Sequence, residues 1–360
     1  MQTTVKHALQ SCSLYAQQRP FHPASGTRPR KDVCRRKLAL TRCKATSTDI
    51  TRLKENLREL DRQLEKEGPE AEAAAVQLAN QLKEDGLLRA YGGGRQVPKR
   101  IYSLEELRLN KIEAEKLLSP TDDTLGTVRT ILQGGGLLGL AAAYFGLHWE
   151  FSQLLGTLAA LGFLLTIDQV ANGGGLEALF VDTSARFINR SYGERVANHE
   201  AGHFLIAYLI GLLPRTYTLS SLDAFRRYGA LNVQAGTLFC DSAFQREVAS
   251  GTLSSTSLDQ YSCVALAGIA TEYIKYGQAE GGLNDIQQLD GFLRALQFTQ
   301  KKADGQIRWA VLNVTALLRR YSDVHSKLAR AMAAGKSVGD CIALIEANAG
   351  PDTGEDDVKI

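Results

Sequence analysis

The run Arg195-Val196-Ala197-Asn198-His199-Glu200-Ala201-Gly202-His203-Phe204-Leu205-Ile206-Ala207-Tyr208-Leu209-Ile210-Gly211 decides how the chain is read. It is polar at its start, apolar from Phe204 to Leu213, and closed by Pro214. That pattern predicts a helix whose first turns present side chains to a site while its last turns anchor in a core. Residues four apart on a helix are turned by only about 40°, so His199 and His203 leave one face a turn apart. Two neutral imidazoles so placed can share a metal ion. Zinc suits them, because a catalytic zinc takes three protein ligands and keeps a fourth position for water. Glu200 is then placed to accept a proton from that water. The plainer alternative is a surface helix that carries two histidines and a glutamate by chance, since the pattern is short.

The chain has 360 residues, enough for one to three domains, with 44% hydrophobic and 22% charged residues. That balance fits a globular or membrane-attached protein and not a disordered one. The overall charge of +3 conceals an asymmetry. Residues 1–45 carry ten Lys/Arg against one acid, Asp32, leaving 32 basic and 38 acidic residues, a formal charge of −6, for the remainder. A remainder of that sign offers no concentrated basic face, so no nucleic-acid partner is expected. The basic, hydroxyl-containing, acid-poor beginning resembles an organelle transit peptide ending near Arg42-Cys43-Lys44-Ala45, for a chloroplast or alternatively a mitochondrion. A disordered basic arm is the competing reading. Removal of 1–45 would leave Cys240, Cys263 and Cys341, which form neither a metal-binding CxxC nor a disulfide framework and read as reduced structural residues.

Residues 46–125 read as a helical N-terminal region serving interaction or spacing. Leu53, Leu57, Leu60 and Leu64 form a heptad-like seam able to pair with another helix. A second helix is expected from Pro69 to Leu88, ended by Tyr91-Gly92-Gly93-Gly94. Ser103-Leu104-Glu105-Glu106 reads as a capping box opening a helix that runs to about Leu118, where Ser119-Pro120 stops it. Ile131 to Leu147 and Leu154 to Ile167 then contain no charge, and residues 126–170 are read as a helical hairpin crossing a membrane twice. A single span or two buried core helices are the alternatives. Glycine and alanine in the first run would allow close helix contact. Gly173-Gly174-Gly175 is the hinge into a soluble domain spanning 176–349.

Downstream of the histidines, Val264 to Glu272 makes an apolar helix, followed by Gly281-Gly282-Leu283-Asn284-Asp285-Ile286. The run Val196 to Gly211, the Ala267-Gly268-Ile269-Ala270-Thr271-Glu272 helix and the Gly281 to Ile286 loop, in that order, resemble the peptidase domain of the FtsH-type membrane-bound zinc metalloproteases. The resemblance covers roughly Arg195 to Ser322. It implies a mostly α fold with a short β hairpin, and a third zinc ligand supplied by the Asp of an Asn-Asp pair, here Asp285. Physically, a short carboxylate at a helix start has a fixed direction; as an alternative, Asp285 is an ordinary N-cap. Glu272 is a candidate for orienting a ligand histidine, against the plainer reading of a solvated glutamate. Between the motifs, Leu231 to Phe239 is the best strand candidate. By family analogy it holds an extended peptide across the zinc, or else it belongs to a small structural hairpin.

The departures are as informative. The family carries an ATP-driven unfolding module, and this chain has no GxxxxGK[ST]; Gly335-Lys336-Ser337 is preceded by Arg330 where the motif needs glycine and sits in an expected interhelical turn. The family's glycine-arginine step is replaced by Gly268-Ile269. The chain thus resembles plant and algal plastid proteins that keep an FtsH-like peptidase domain without the ATPase. A different class of membrane protease places HExxH inside a spanning helix and draws its aspartate from Leu-Asp-Gly, which Leu289-Asp290-Gly291 matches. Glu194 and Arg195 and the short apolar stretch argue against it.

The expectation is therefore an ATP-independent, membrane-associated zinc metalloendopeptidase. His199, His203 and Asp285 hold zinc, Glu200 takes the proton of the attacking water, and unfolded or membrane proteins are the substrates. A separate ATPase subunit or a homo-oligomer is a possible partner. The alternative is a non-proteolytic plastid scaffold or assembly factor that keeps the fold. After Asp285, helices are expected over Leu289 to Lys302, Gly305 to Tyr321, Val324 to Ala333 and Val338 to Ala349, with a disordered tail over 350–360.

Overall fold

The leucine seam of the first helix joins the first and last helices of the described residues. In the computed structural model, which describes residues 47–121, 123–229 and 235–349, α1 (Ser47–Leu64) packs against α2 (Pro69–Glu84) and against the last helix, α15 (Val338–Asn348). Leu57, Leu60 and Leu64 are buried there, and the Asp61 carboxylate accepts the Gly339 backbone N–H at 2.7 Å. The seam predicted for a partner helix finds its partners within the chain. The same apolar cluster runs on through Leu205, Ile206 and Leu209, so the N-terminal helices and the histidine helix share one core.

The capping box at Ser103 forms as expected, opening α3 (Leu104–Leu109). The helix does not continue to Leu118. Asn110 turns its side-chain amide back onto the Glu106 carbonyl and Lys111 takes φ +56°, after which α4 (Ala114–Leu118) starts afresh. Asparagine competes for helical backbone groups in this way, which favours a stop at that position.

Two long apolar helices follow, α5 (Asp123–Phe145) and α6 (Phe151–Asn172), joined by a turn in which His148 has φ +53°. Among the described residues α6 is the one helix long and apolar enough to cross a membrane. Leu155, Leu161, Phe163 and Leu164 on it are exposed. Nothing lies within 4 Å of where a Cβ would stand at Gly134, Gly135, Gly136 or Gly139, so the glycines of α5 do not make the close helix contact their size permits. Val128 of α5 packs instead on Val181 and Ala185 of α7 (Gly175–Ile188), which begins after Gly173 and Gly174. The other face of α7 leaves Leu176, Phe180 and Phe187 exposed.

Helix α8 (Arg190–Leu209) is the axis of the molecule: every residue from Ala197 to Ile210 is buried. It is followed by β1 (Pro214–Thr218), α9 (Ser221–Tyr228), β2 (Gly236–Phe239), α10 (Ser242–Ser250), α11 (Ser255–Tyr276), α12 (Leu283–Ala295), α13 (Gln300–Arg320) and α14 (Ser322–Ala333). Helices α11 and α14 flank α8, and α13 packs behind α11. Strands β1 and β2 pair antiparallel, Tyr217 opposite Thr237 and Thr218 opposite Gly236, with an irregularity between Pro214 and Thr216. Fifteen helices and this one hairpin make the fold mostly α among the described residues. The strand expected from Leu231 is seen only as Gly236–Phe239, since residues 230–234 lie outside the described residues. Residues 1–45, expected to be a transit peptide, and the tail 350–360 lie outside them as well. Near the C-terminus, a left-handed Gln297 separates α12 from α13, so residues 300–302 open the second helix and do not end the first.

Candidate metal centre

Helix α8 delivers His199 and His203 one turn apart, each 8% exposed, with Glu200 beside them at 6%. Asp285 arrives from the first turn of α12, three residues after the left-handed Gly282 that caps that helix. It is not the N-cap: its carboxylate turns to the histidines. His199 Nε2 and His203 Nε2 are 3.0 Å apart, and Asp285 Oδ2 lies 3.3 Å from the first and 3.4 Å from the second. Tetrahedral ligands about 2.0–2.1 Å from a zinc ion stand about 3.3 Å from one another, so the three atoms already have the spacing of one face of such a site.

The hydrogen bonds behind the rings decide which nitrogens face the centre. His203 Nδ1 lies 2.8 Å from the Val264 carbonyl, which can only accept, so Nδ1 carries the hydrogen and Nε2 presents a lone pair. His199 Nδ1 lies 2.7 Å from Glu272 Oε1. That carboxylate also accepts the backbone N–H groups of Glu280 and Gly281 and the guanidinium of Arg195 at 2.7 Å, so here too Nδ1 is the donor. Two Nε2 atoms and a carboxylate oxygen therefore converge on one point, where a proton or a metal ion can lie between them. The buried group His199, His203 and Asp285 can hold a metal ion.

The electrostatics agree. Burial works against a charged His199, but the hydrogen bonds to Asp285 and Glu272 and the charge of Glu200 outweigh it and lift the imidazole to about 10. Burial would likewise raise Glu272, yet the His199 hydrogen bond and charge, the Glu280 backbone and Arg195 hold it at about 2. Asp285 is pushed well below the usual carboxylate range by the two histidines, again against burial. A metal ion would compete with that proton for the same nitrogens.

Close approach makes this geometry possible. A Cβ on Gly268 would stand 2.2 Å from His199 Nε2, so α11 can pass under the imidazole only with glycine there. Gly282, at φ +84°, would place a Cβ 2.2 Å from Ile269 Cγ2 and 3.1 Å from His199 Cε1. These contacts give the glycines of the second and third motifs a physical role.

Glu200 is met by β2: the Thr237 hydroxyl donates to Glu200 Oε2 at 2.9 Å. Glu272 is buried at 2% exposure on the far side of His199 and is not a solvated glutamate. Asp290 is not brought to the histidines; it pairs with Arg294 at 2.9 Å on the surface of α12. Gly335-Lys336-Ser337 forms the turn between α14 and α15, where the Ser337 hydroxyl caps α15 by accepting from the Asp340 N–H. Cys240, Cys263 and Cys341 are buried and free.

Several contributors carry no local signal in the sequence. Thr237, Arg195, Glu280 and the Val264 carbonyl each act on a residue far along the chain. Only the inclusion of Thr237 in the strand candidate and of Arg195 in the polar approach brought them near the motif. No protein-family description, curated protein or solved structure matches the chain.

Proposed function

We propose that the chain is an ATP-independent zinc metalloendopeptidase attached to a plastid membrane. The observation that carries the reading is the convergence of His199 Nε2, His203 Nε2 and Asp285 Oδ2 at 3.0–3.4 Å beside the buried carboxylate of Glu200. Two imidazoles and one carboxylate form the donor set of a hydrolytic zinc site, with the fourth position left for water. A bound zinc ion would supply Lewis acidity and lower the pKa of the attacking water.

The chain's own residues then have defined parts. Glu200 accepts the water's proton and can pass it to the departing amine. Thr237 fixes one oxygen of that carboxylate, leaving the other for the proton. Glu272 fixes the tautomer and ring plane of His199, and the Val264 carbonyl does so for His203. Among the described residues β2 has one unpaired edge, since the sheet has two strands. A substrate chain added along that edge would lie against Thr237 and so beside Glu200.

Membrane attachment is supported by the length and apolar surface of α6 and by the exposed Leu176, Phe180 and Phe187 of α7, which follows α6 after two glycines. A helix face of leucine and phenylalanine beside a polar face can lie in a membrane interface. The plastid assignment rests on the composition of residues 1–45. Glu200→Gln tests the catalytic part: zinc stoichiometry should stay at one while cleavage of an unfolded protein such as casein stops. Undiminished cleavage would refute the role of Glu200. One zinc without any cleavage by the wild-type chain would favour the scaffold reading.

A further inference from the structure

We propose that the cleft between α2 and the β2–α10 junction is a second binding site, for an extended polypeptide segment that continues beyond the metal centre. The proposal rests on the peptidase reading and extends it to how a long substrate is held.

The cleft encloses about 740 Å³. That is within the size range of ligand sites, and its lining is mixed: apolar side chains such as Val76, Leu212 and Phe244 stand beside the charged Glu84, Asp241 and Arg246. The amides of Gln77, Asn80 and Gln81 on the exposed face of α2 also line it, as does Gln260 on α11, whose amide donates to the Ile210 carbonyl at 3.0 Å. Each amide both donates and accepts, which suits the alternating C=O and N–H groups of an extended backbone whatever its side chains. Amides for the backbone, apolar surface for side chains and charges of both signs together suit a polypeptide of mixed sequence.

The position of the cleft follows from the strand. Thr237 touches Glu200, and Cys240, three residues on, lines the cleft. At about 3.3 Å per residue, a peptide laid along β2 reaches the cleft about 10 Å past Glu200. A second route connects the same places. Phe244, in the cleft wall, stacks on Tyr261 with centroids 5.4 Å apart and planes 7° from parallel. Tyr261 in turn meets Phe292, on the helix of Asp285, at 4.7 Å, and the charge of Asp285 helps raise the Tyr261 phenol.

The wall is held in place, not loosely apposed. Glu72 of α2 pairs with Arg215 of β1 at 2.7 Å and accepts the Ser242 backbone N–H at 3.3 Å, tying α2 to β1 and to the start of α10. The opposite face of α2, with Ala75, Ala79 and Leu82, is buried in the core.

The test uses the full-length chain carrying Glu200→Gln, loaded with zinc so that ligand binds without turnover. The probe is a fluorescein-labelled unfolded peptide of about 20 residues, long enough at about 3.3 Å per residue to run from Glu200 through the cleft. A hexapeptide, spanning about 10 Å on either side of a central bond, stops at the cleft mouth. Ala73→Trp and Gln77→Trp, each at an exposed position of α2, fill the cleft without touching the core. Each should weaken binding of the long peptide about tenfold or more and leave hexapeptide binding, zinc stoichiometry and thermal midpoint as before. Unchanged affinity for the long peptide in both variants overturns the proposal, as does an equal loss for both peptides. If the wild-type chain cleaves nothing while the long peptide still loses affinity in these variants, the peptidase reading fails and the cleft stands.

Discussion

Gly268→Ala is the sharpest perturbation of the metal centre, because it changes no ligand and no charge. The added Cβ would stand 2.2 Å from His199 Nε2, 2.4 Å from Cε1 and 2.5 Å from Cδ2, whereas real Cβ contacts essentially never fall below 3.0 Å. The imidazole, or the backbone of α11 beneath it, has to retreat by about 0.8 Å, while metal–ligand distances tolerate only about ±0.2 Å. His199 cannot tilt freely, since its Nδ1 is held by Glu272 at 2.7 Å. The expected result is a zinc affinity lower by about 100-fold or more, equivalent to about 2.7 kcal/mol, read by competition with a chromogenic chelator near neutral pH. Overpacking should also cost about 1–3 kcal/mol of apo stability, and that cost should vanish on a His199→Ala background, where the clash has no partner. Gly291→Ala in α12 is the control: nothing lies within 4 Å of its Cβ position, so zinc affinity should not move. Helix stability there should rise by about 0.5–1 kcal/mol. A Gly268→Ala chain that binds zinc like the wild type would refute the claim that α11 passes under His199 at contact distance.

Three further outcomes follow from the same geometry. Glu272→Gln keeps the shape but removes the charge that orients His199, and should weaken zinc binding by about 10–100-fold with an intact fold, as measured by chelator competition and circular dichroism. His325, buried and donating to the Asn198 carbonyl at 2.9 Å, is held down at about 4 by burial and by the charge of Lys275. With its folded value below the ordinary 6.5, the unfolded chain takes up the proton first. Stability should fall as pH drops from about 6.5 to 4, by on the order of 3 kcal/mol from this group, and His325→Gln should flatten that window in urea titrations at stepped pH. Glu272, also depressed, acts in the lower window between its ordinary 4.5 and about 2 and does not confuse the comparison. Leu60→Ala, at a fully buried position of α1, should cost about 2–5 kcal/mol and lower the single thermal transition of the whole chain. A transition confined to α1 and α2 would contradict their membership of the common core.

What could be read in advance was whatever the helix period writes into neighbouring residues. His199 and His203 share a face because they are four apart, and the buried C-terminal half of α8 is announced by Phe204 to Leu213. The capping box at Ser103 is equally local. What escaped was set by partners far along the chain: Thr237 meets Glu200 across 37 residues and Asp61 meets Gly339 across 278, while Glu272, expected to orient a ligand histidine, meets His199 across 73. The leucine seam of α1 signalled that a partner exists but carried no information on which helix it would be. Asp285 was placed by resemblance, and only the three-dimensional spacing separates it from Asp290, five residues away on the same helix. The break at Asn110 and Lys111 was missed for a further reason: one asparagine competing for a carbonyl weighs little against the apolar period of a whole helix.

The root of the apolar hairpin is wired to the ligand sphere. Thr124, in the first turn of α5, donates to Glu280 at 2.5 Å, and the Thr121 N–H donates to the Ala279 carbonyl at 3.1 Å. Glu280 pairs with Arg195 at 2.9 Å, Arg195 with Glu272 at 2.7 Å, and Glu272 with His199. The loop that carries Glu280 continues through Gly281 and Gly282 into Asp285, so one short segment supplies a ligand, orients a second and receives the start of α5. On the membrane-attached reading, this places the metal centre close to the lipid surface from which α5 emerges. On the ATP-independent reading proposed above, a site so placed would meet chains as they leave the bilayer or before they fold. The edge of β2 that is unpaired among the described residues and the proposed cleft about 10 Å beyond Glu200 suit substrates of that kind, which present backbone and not a folded surface.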